Sequence, residues 1–211
     1  MTKLTFYTNP MSRGRIIRWM LEETGAPYDT EYLVYGGSMK SPEYLAINPM
    51  GKVPAIVHGD QVVTECAAIC AYLADAFPAA NLAPAPDRRG AYYRWLFFAA
   101  GPVEAAVTNR SLGFSVPEGR KVMAGYGDFD DMYATLVKAV SATPYIAGDE
   151  FTAADVYVGS QVGWGLQFGS IPEHEALKAY FARLAERPAY KRGNELDDAA
   201  IAELGMTPPG G

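Results

Sequence analysis

The first segment whose residue types could do chemistry runs from Tyr7 to Arg15 and carries the hydroxyls of Tyr7 and Ser12. A hydroxyl beside the start of a helix can donate a hydrogen bond to a bound thiolate. The helix dipole adds to this effect, and both lower the thiol pKa below its free value of about 8.5. Ser12 is equally suited to a plain helix N-cap, so the residues alone leave both roles open.

A proline marks the second segment, which has the sequence NPMGKVPA at positions 48–55 and runs into an apolar strand. Proline cannot donate to a strand ladder, so Pro54 can be an ordinary trans residue at a sheet edge. A cis Val53–Pro54 bond is the alternative. It would turn the N–H and C=O of Val53 toward an extended, peptide-like ligand.

The third segment, Thr64-Glu65-Cys66, lies where a strand is predicted to hand over to a helix. The first N–H groups of a helix and its positive partial charge can hold a carboxylate, and Glu65 could meet an ammonium group. Together they could bind the charged end of an amino acid. A helix capped by Thr64 and begun with an acid explains the same pattern.

Charge and composition exclude several ligand classes. Eighteen Lys and Arg against 24 Asp and Glu give a net charge of -6, so no general attraction to nucleic acid or anionic lipid is expected. The opening residues lack a secretory signal and no long apolar run follows, which predicts a cytoplasmic protein without a membrane segment. Cys66 and Cys70 are too far apart on one helix for a disulfide, and the isolated His58 and His174 predict no metal site.

The elements that must position these segments form two predicted domains. Residues 1–77 alternate as β-α-β, a loop and β-β-α, which predicts a small α/β sheet of about four strands. A proline-rich linker follows at 78–88. Residues 89–211 are predicted as an all-helical domain, with helical spacing near 88–112, 118–141, 153–168, 173–186 and 195–203.

With these segments in this order, the chain resembles a cytosolic glutathione transferase over essentially its full length. That family joins a thioredoxin-like α/β domain to an all-α domain through a proline-bearing linker. The resemblance implies a cis Val53–Pro54 bond, with Val53 pairing with the cysteinyl part of glutathione. It also implies that Glu65 and Cys66 bind the γ-glutamyl end, although the family usually has Ser or Thr where Cys66, a weaker donor, stands.

The resemblance further implies that a residue at the first strand–helix junction activates the thiol of glutathione. Ser12 is the first candidate, Tyr7 the second and Asn9 the third. Met11 stands close to where cysteine-type bacterial members keep their cysteine, so the prediction is a serine-like type. Lys40 and Lys52 are candidates for the glycine carboxylate. The residues predicted to line an apolar cleft for the second substrate are Met11, Arg110, Phe114, Trp164 and Phe168.

The predicted activity is conjugation of glutathione thiolate to small hydrophobic electrophiles by a homodimer, with glutathione as co-substrate and no other cofactor. Two alternatives stay open, a glutathione-dependent reductase or peroxidase and a non-catalytic binding module with the same fold. Cys66 is the feature that favours the binding module. Thr152 and Asp155 resemble the family's capping box in the second domain and are assigned to stability.

Overall fold

The computed structural model describes residues 2–206 and divides the chain into two compact units. The first unit contains the residues up to Ala80 together with those from Arg187 onward, and the second contains Asn81–Glu186. The sequence prediction placed a linker at 78–88 and all of 89–211 in the helical domain. The division differs because the last helix packs on the first unit. Within residues 2–206, no helix combines the length and apolar character needed to cross a membrane.

The first unit is built on a four-stranded sheet, as the alternation of strand and helix signals predicted. Its strand order is β2-β1-β3-β4, with β1 parallel to β2 and antiparallel to β3, and β3 antiparallel to β4. The elements are β1 (Leu4–Thr8), α1 (Gly14–Thr24), β2 (Asp29–Tyr32), α2 (Pro42–Leu45), β3 (Ala55–His58), β4 (Gln61–Thr64) and α3 (Cys66–Ala76).

Apolar residues at helical spacing form the buried face of α1. Ile16, Ile17, Met20 and Leu21 are fully buried, and α1 also packs against α3. Burial of one such side chain stabilises the fold by about 1.5–3 kcal/mol, so this face holds α1 firmly in place. The helix begins at Gly14 with Arg13 as its N-cap, so the N-cap predicted at Ser12 lies one residue too early.

The register of the sheet brings three chain segments to one edge. Tyr7 of β1 pairs with Ala55 of β3, and Ala55 pairs with Thr64 of β4. The residues that follow Tyr7, precede Ala55 and follow Thr64 therefore meet at the same edge. These are the three segments that the sequence analysis singled out.

The second unit is helical, as predicted, with two differences in the element bounds. The helix predicted near 88–112 contains a π-helical turn, Ala99–Val103, that includes Pro102, a residue without a backbone donor. The helix predicted from 118 begins only at Phe129, after Asp128 accepts the N–H of Asp131 at 2.8 Å. The helices are α4 (Gly90–Phe98), α5 (Glu104–Ser111), α6 (Phe129–Ala142), α7 (Ala153–Gln167) and α8 (Glu175–Ala185).

The predicted capping box is present at the start of α7. Thr152 Oγ1 accepts the N–H of Ala154, and Asp155 Oδ2 accepts the N–H of Thr152 at 2.9 Å. Asp155 also accepts bonds from Ile146 N–H at 2.7 Å and from the Tyr180 hydroxyl at 2.9 Å. Burial raises the pKa of Asp155, although these donors oppose the shift. The bonds join three segments of the helical core, in keeping with a role in stability.

The last helix, α9 (Pro188–Leu204), returns to the first unit and packs along α1. A Cβ on Gly193 would lie 3.3 Å from backbone atoms of Trp19, so the two helices approach closely. Arg187 donates to both carboxylate oxygens of Glu23, at 2.6 and 2.7 Å. The sequence predicted only a short helix at 195–203, so the length and docking of α9 were missed.

A buried arginine connects α1 to α9 and β2. Arg18 is 2% exposed, and its Nε donates to Asp197 Oδ1 at 3.1 Å. Its terminal nitrogens donate to the hydroxyls of Tyr28, Thr30 and Tyr32 at 2.9, 2.9 and 3.2 Å. Buried charges require such partners, so this cluster fixes the position of α9 on the first unit.

Candidate active site

The first loop, residues 9–13, connects β1 to α1 and is held by the side chain of Asn9. Its Nδ2 donates to the carbonyl of Leu33 at 2.8 Å, and its Oδ1 accepts the N–H of Met11 at 2.9 Å. Asn9 is almost completely buried. Its amide therefore positions the loop, and this use weakens its candidacy as the thiolate donor.

Ser12 is half-buried in the first loop, where its hydroxyl already has two partners. Its Oγ donates to the carbonyl of Asn9 at 2.6 Å and accepts the N–H of Gly14 at 2.9 Å. The Asn9 carbonyl also accepts the backbone N–H of Ser12 at 3.1 Å. If the hydroxyl rotates toward a ligand, the Asn9 carbonyl therefore still has the Ser12 N–H as its donor.

Gly14 and Thr8 pack tightly where the first loop enters α1. A Cβ on Gly14 would lie 1.9 Å from Thr8 Oγ1 and 3.0 Å from Ser12 Oγ. Thr8 is fully buried, and its Oγ1 has no hydrogen-bond partner within residues 2–206. Only glycine fits this position without a shift of its neighbours.

The second loop, residues 48–53, repeats the Asn-Pro-Met sequence and the side-chain bonds of the first. Asn48 Oδ1 accepts the N–H of Met50 at 3.1 Å, and its Nδ2 donates to the carbonyl of Lys52 at 2.8 Å. The Tyr44 hydroxyl donates to the same carbonyl at 2.5 Å. Gly51 has φ 56°, in the left-handed region that favours glycine.

The end of the second loop leads into the Val53–Pro54 bond, which is cis, as the resemblance implied. Pro54 is buried and Val53 half-buried. Among residues 2–206, neither the N–H nor the C=O of Val53 has a hydrogen-bond partner in the chain. Both groups are available to a ligand with a peptide backbone.

Two lysines belong to the second loop or its surroundings. Lys40, in the 3-10 turn Ser38–Lys40, donates from Nζ to the carbonyl of Met50 at 2.9 Å. Lys52 is itself part of the loop, and both side chains are exposed. The structure therefore brings Lys40 to the same loop as Lys52, twelve positions along the chain.

At the start of α3, Glu65 has φ 67° and ψ 121°, an unusual backbone conformation for a residue other than glycine. Its side chain is exposed and makes no capping bond. Cys66 is buried, and its thiol donates to the carbonyl of Arg13 at 3.8 Å, so the start of α3 lies against the first loop. Thr64 does not cap α3, since the N-cap position belongs to Glu65.

Tyr7 lies in β1, where its ring packs against that of Tyr44 with 5.7 Å between the centroids. Tyr44 in turn holds the second loop through the carbonyl of Lys52. Tyr7, the second candidate donor to the thiolate, therefore packs against the tyrosine that supports the second loop, whereas Ser12 lies in the first loop.

The residues predicted to line the cleft for a second substrate fall in both units. Met11 is half-buried in the first loop. In the second unit, the Arg110 guanidinium lies 4.0 Å from the ring centroid of Phe129. Trp164 is half-buried, while Phe114 and Phe168, which follow the ends of α5 and α7, are exposed.

Three residues that hold the two loops of the candidate site were missed by sequence reasoning. Asn48 and Tyr44 hold the second loop, and Tyr35 donates from its hydroxyl to the carbonyl of Met11 at 3.4 Å. The repeated Asn-Pro-Met at 9–11 and 48–50 was a signal for Asn48. No comparable pattern pointed to the two tyrosines.

A four-stranded α/β unit of thioredoxin-like topology with a cis proline directly before β3, followed by an all-helical unit, defines the glutathione transferase fold. The family model described as Glutathione S-transferase, N-terminal domain, matches residues 11–76. The one described as Glutathione S-transferase, C-terminal domain, matches residues 121–188. The chain belongs to the glutathione S-transferase family.

Similar proteins cover nearly the whole chain at low identity. Glutathione S-transferase 3 of Zea mays is 25% identical over 224 residues, which cover 99% of this chain and 98% of the relative. Glutathione S-transferase GST-4.5 of Xanthomonas campestris pv. campestris is 28% identical over 191 residues, with coverages of 86% and 92%. The solved structure of a sphingomonad glutathione S-transferase complexed with glutathione has a TM-score of 0.75, 27% identity and coverages of 92% and 98%.

Proposed function

We propose that the protein is a glutathione transferase of the serine-like type that conjugates glutathione to small hydrophobic electrophiles. The observation that carries this proposal is the sheet register, which gathers the first loop, the second loop and the start of α3 at one edge. Glutathione is the co-substrate, and the proposed reaction requires no other cofactor. The sphingomonad relative, a complex with glutathione, supports the same ligand.

Each part of glutathione has a partner of matching chemistry at this edge. The exposed carboxylate of Glu65 binds the α-ammonium group, and the first N–H groups of α3, including that of Cys66, bind the γ-glutamyl carboxylate. The N–H and C=O of Val53 pair with the cysteinyl residue. Lys40 and Lys52 supply positive charge for the glycine carboxylate.

Ser12 stabilises the thiolate in this proposal. Its hydroxyl rotates from the Asn9 carbonyl to the sulfur, while the Gly14 N–H continues to bind and polarise Oγ. The thiol proton leaves to solvent when glutathione binds. A lone pair of the sulfur then forms a bond to the electrophilic carbon. In a substitution the bond from that carbon to the leaving group breaks and its electron pair departs with the leaving group, whereas in an addition the displaced π pair takes up a proton from solvent.

The thiol pKa of bound glutathione tests the role of Ser12. Removal of a charge-assisted hydrogen bond by Ser12→Ala should raise this pKa by about 1–2 units and leave glutathione affinity nearly unchanged. Tyr7→Phe should have little effect. Ultraviolet titration of the thiolate decides the question. An unchanged pKa in Ser12→Ala with a raised pKa in Tyr7→Phe transfers the role to Tyr7.

Glu65 is tested through affinity. Glu65→Gln keeps the shape of the side chain but removes the charge, so the dissociation constant for glutathione should rise about tenfold or more. Glu43→Gln is the matched control, because Glu43 is also an exposed acid near a helix start. Calorimetric titration measures both variants. Equal affinities in the two variants would remove Glu65 from the proposed site.

A non-catalytic glutathione-binding module is the second candidate function. The observation in its favour is the short bond from Ser12 Oγ to the Asn9 carbonyl, which occupies the only proton of that hydroxyl. Retention on immobilised glutathione, followed by a thiol-conjugation assay, separates the two. Retention with turnover supports the enzyme, and retention alone supports the binding module. A protein that shows neither retention nor turnover contradicts both functions.

The proposal extends to a homodimer that acts in the cytoplasm in the detoxification of small electrophiles. These three points rest on the family resemblance. Sedimentation equilibrium tests the dimer: a mass of 22.8 kDa, that of one chain, at all concentrations would contradict it.

A further inference from the structure

The segment after β2 is held by two hydrogen bonds, one to the end of β1 and one to the first loop. The Leu33 N–H donates to the carbonyl of Thr8 at 2.8 Å, and Asn9 Nδ2 donates to the carbonyl of Leu33 at the same distance. Farther along, Ser38 Oγ accepts the N–H of Val34 at 2.9 Å. Tyr35 follows Val34, so its backbone is fixed beside the loop that carries Ser12.

The hydroxyl of Tyr35 lies against successive residues of the first loop. It donates to the carbonyl of Met11 at 3.4 Å, a distance at the long end for such a bond. Burial raises the pKa of Tyr35, and the nearby Ser12 hydroxyl and the charge of Arg13 offset only part of this shift. The side chain is still 43% exposed, so a ligand can reach the hydroxyl.

The protons of the two neighbouring hydroxyls are not equally available. The proton of Ser12 is engaged in a bond of 2.6 Å to the Asn9 carbonyl, whereas that of Tyr35 is in a weak bond of 3.4 Å. A phenol, even with its pKa raised above the ordinary value as in Tyr35, is also more acidic than an aliphatic hydroxyl and is the stronger donor. A thiolate beside Ser12 therefore meets a second hydroxyl whose proton is easier to redirect.

We propose that Tyr35 is a second donor to the glutathione thiolate and acts beside Ser12 at the end of the first loop. This inference rests on the proposed function. When glutathione binds, the Tyr35 O–H leaves the Met11 carbonyl and donates to the sulfur. Tyr35 then touches the reacting atom and is a catalytic residue.

The test is Tyr35→Phe in the full-length protein, with glutathione as the probe. The thiol pKa of bound glutathione should rise by about 1 unit, which reduces the thiolate fraction about tenfold below that pKa. The kcat for conjugation near neutral pH should fall by a similar factor, while the dissociation constant for glutathione changes by less than about twofold. Tyr133→Phe is the matched control, because Tyr133 makes a similarly long bond, 3.5 Å to the Glu173 carbonyl, in the helical unit.

The combined variant Ser12→Ala/Tyr35→Phe sharpens the result, because two donors to one sulfur predict a larger pKa shift than either substitution alone. A Tyr35→Phe protein that binds glutathione with an unchanged thiol pKa overturns the inference and leaves the proposed function intact. A change in affinity or melting temperature alone also overturns it, since that indicates a structural role. Failure of the unsubstituted protein to bind glutathione overturns both proposals.

Discussion

The first and second loops begin with the same three residues, Asn-Pro-Met, and use them in the same way. In each, the asparagine accepts the methionine N–H and donates to a carbonyl, that of Leu33 in the first loop and that of Lys52 in the second. Both asparagines are buried. The two loops therefore share the same pattern of asparagine hydrogen bonds.

The loops differ in the residue that follows the methionine. Ser12 in the first loop binds the Gly14 N–H and leads the chain into a helix, so its polar groups are largely satisfied within the loop. Gly51 in the second loop takes a left-handed conformation and leads to Val53, whose backbone groups have no partner within residues 2–206. The first loop thus positions the Ser12 hydroxyl, whereas the second loop leaves the N–H and C=O of Val53 unpaired within residues 2–206.

Gly14→Ala should have the largest effect, because it forces a methyl group into the packed end of the first loop. The contacts with Thr8 and Ser12 predict a loss of about 2–3 kcal/mol in the free energy of unfolding. Gly90→Ala is the matched control, since Gly90 also begins a helix but has nothing within 4 Å of a Cβ. Urea denaturation of both variants is the measurement. Equal stabilities would contradict the close packing.

Asn9→Ala and Asn48→Ala test whether the asparagine hydrogen bonds contribute equally to stability in both loops. Each substitution removes two partly buried hydrogen bonds and leaves a carbonyl with one donor fewer, so each should reduce stability by about 2 kcal/mol. Lys52 keeps the Tyr44 hydroxyl as a donor to its carbonyl, so the loss in Asn48→Ala should be the smaller of the two. A larger loss in Asn48→Ala would break the comparison.

Alkaline titration tests Tyr44, whose hydroxyl supports the second loop and not the first. Burial raises the pKa of Tyr44 to about 12 and likewise that of Tyr28 to about 12, above the ordinary value near 10. The folded protein therefore holds these protons more tightly, and their contribution to stability is present below pH 10 and is lost as the pH rises toward 12. Tyrosinate absorbance should show a late step near pH 12. Tyr44→Phe should reduce the amplitude of this step and weaken the dependence of the free energy of unfolding on pH. A Tyr44→Phe protein with an unaltered late step would show that Tyr44 does not contribute.

Lys40→Met should have the smallest effect on stability. Lys40 is tied to the second loop by one bond from an exposed side chain, so its loss should lower the free energy of unfolding by less than about 1 kcal/mol. In the proposed site the same change weakens glutathione binding, and the effect should shrink at high salt. Calorimetric titration at two salt concentrations measures this. Salt-independent affinity loss would argue against a role of the charge.

Sequence reasoning predicted what depends on local pattern. The alternation in β1, the apolar spacing of α1 and the capping box at Thr152 were sufficient to predict those elements, and the NPMGKVPA segment together with the resemblance predicted the cis Val53–Pro54 bond. Contacts between distant residues were not predictable in this way. The bond from Tyr35 to Met11 and the pairing of Arg18 with Asp197 depend on how the chain returns in space, which no spacing in the sequence records.

The docking of α9 on α1 has a consequence for the order in which the two units fold during synthesis. Asp197, the carboxylate partner of Arg18, is separated from it along the chain by the entire helical unit. Until α9 has left the ribosome, Arg18 would have to be buried beside β1 and β2 with hydroxyl partners but no counter-charge, at a penalty of several kcal/mol. The helical unit, which is one continuous stretch, can therefore finish folding first. We therefore expect the α/β unit to close last, although its synthesis begins earlier.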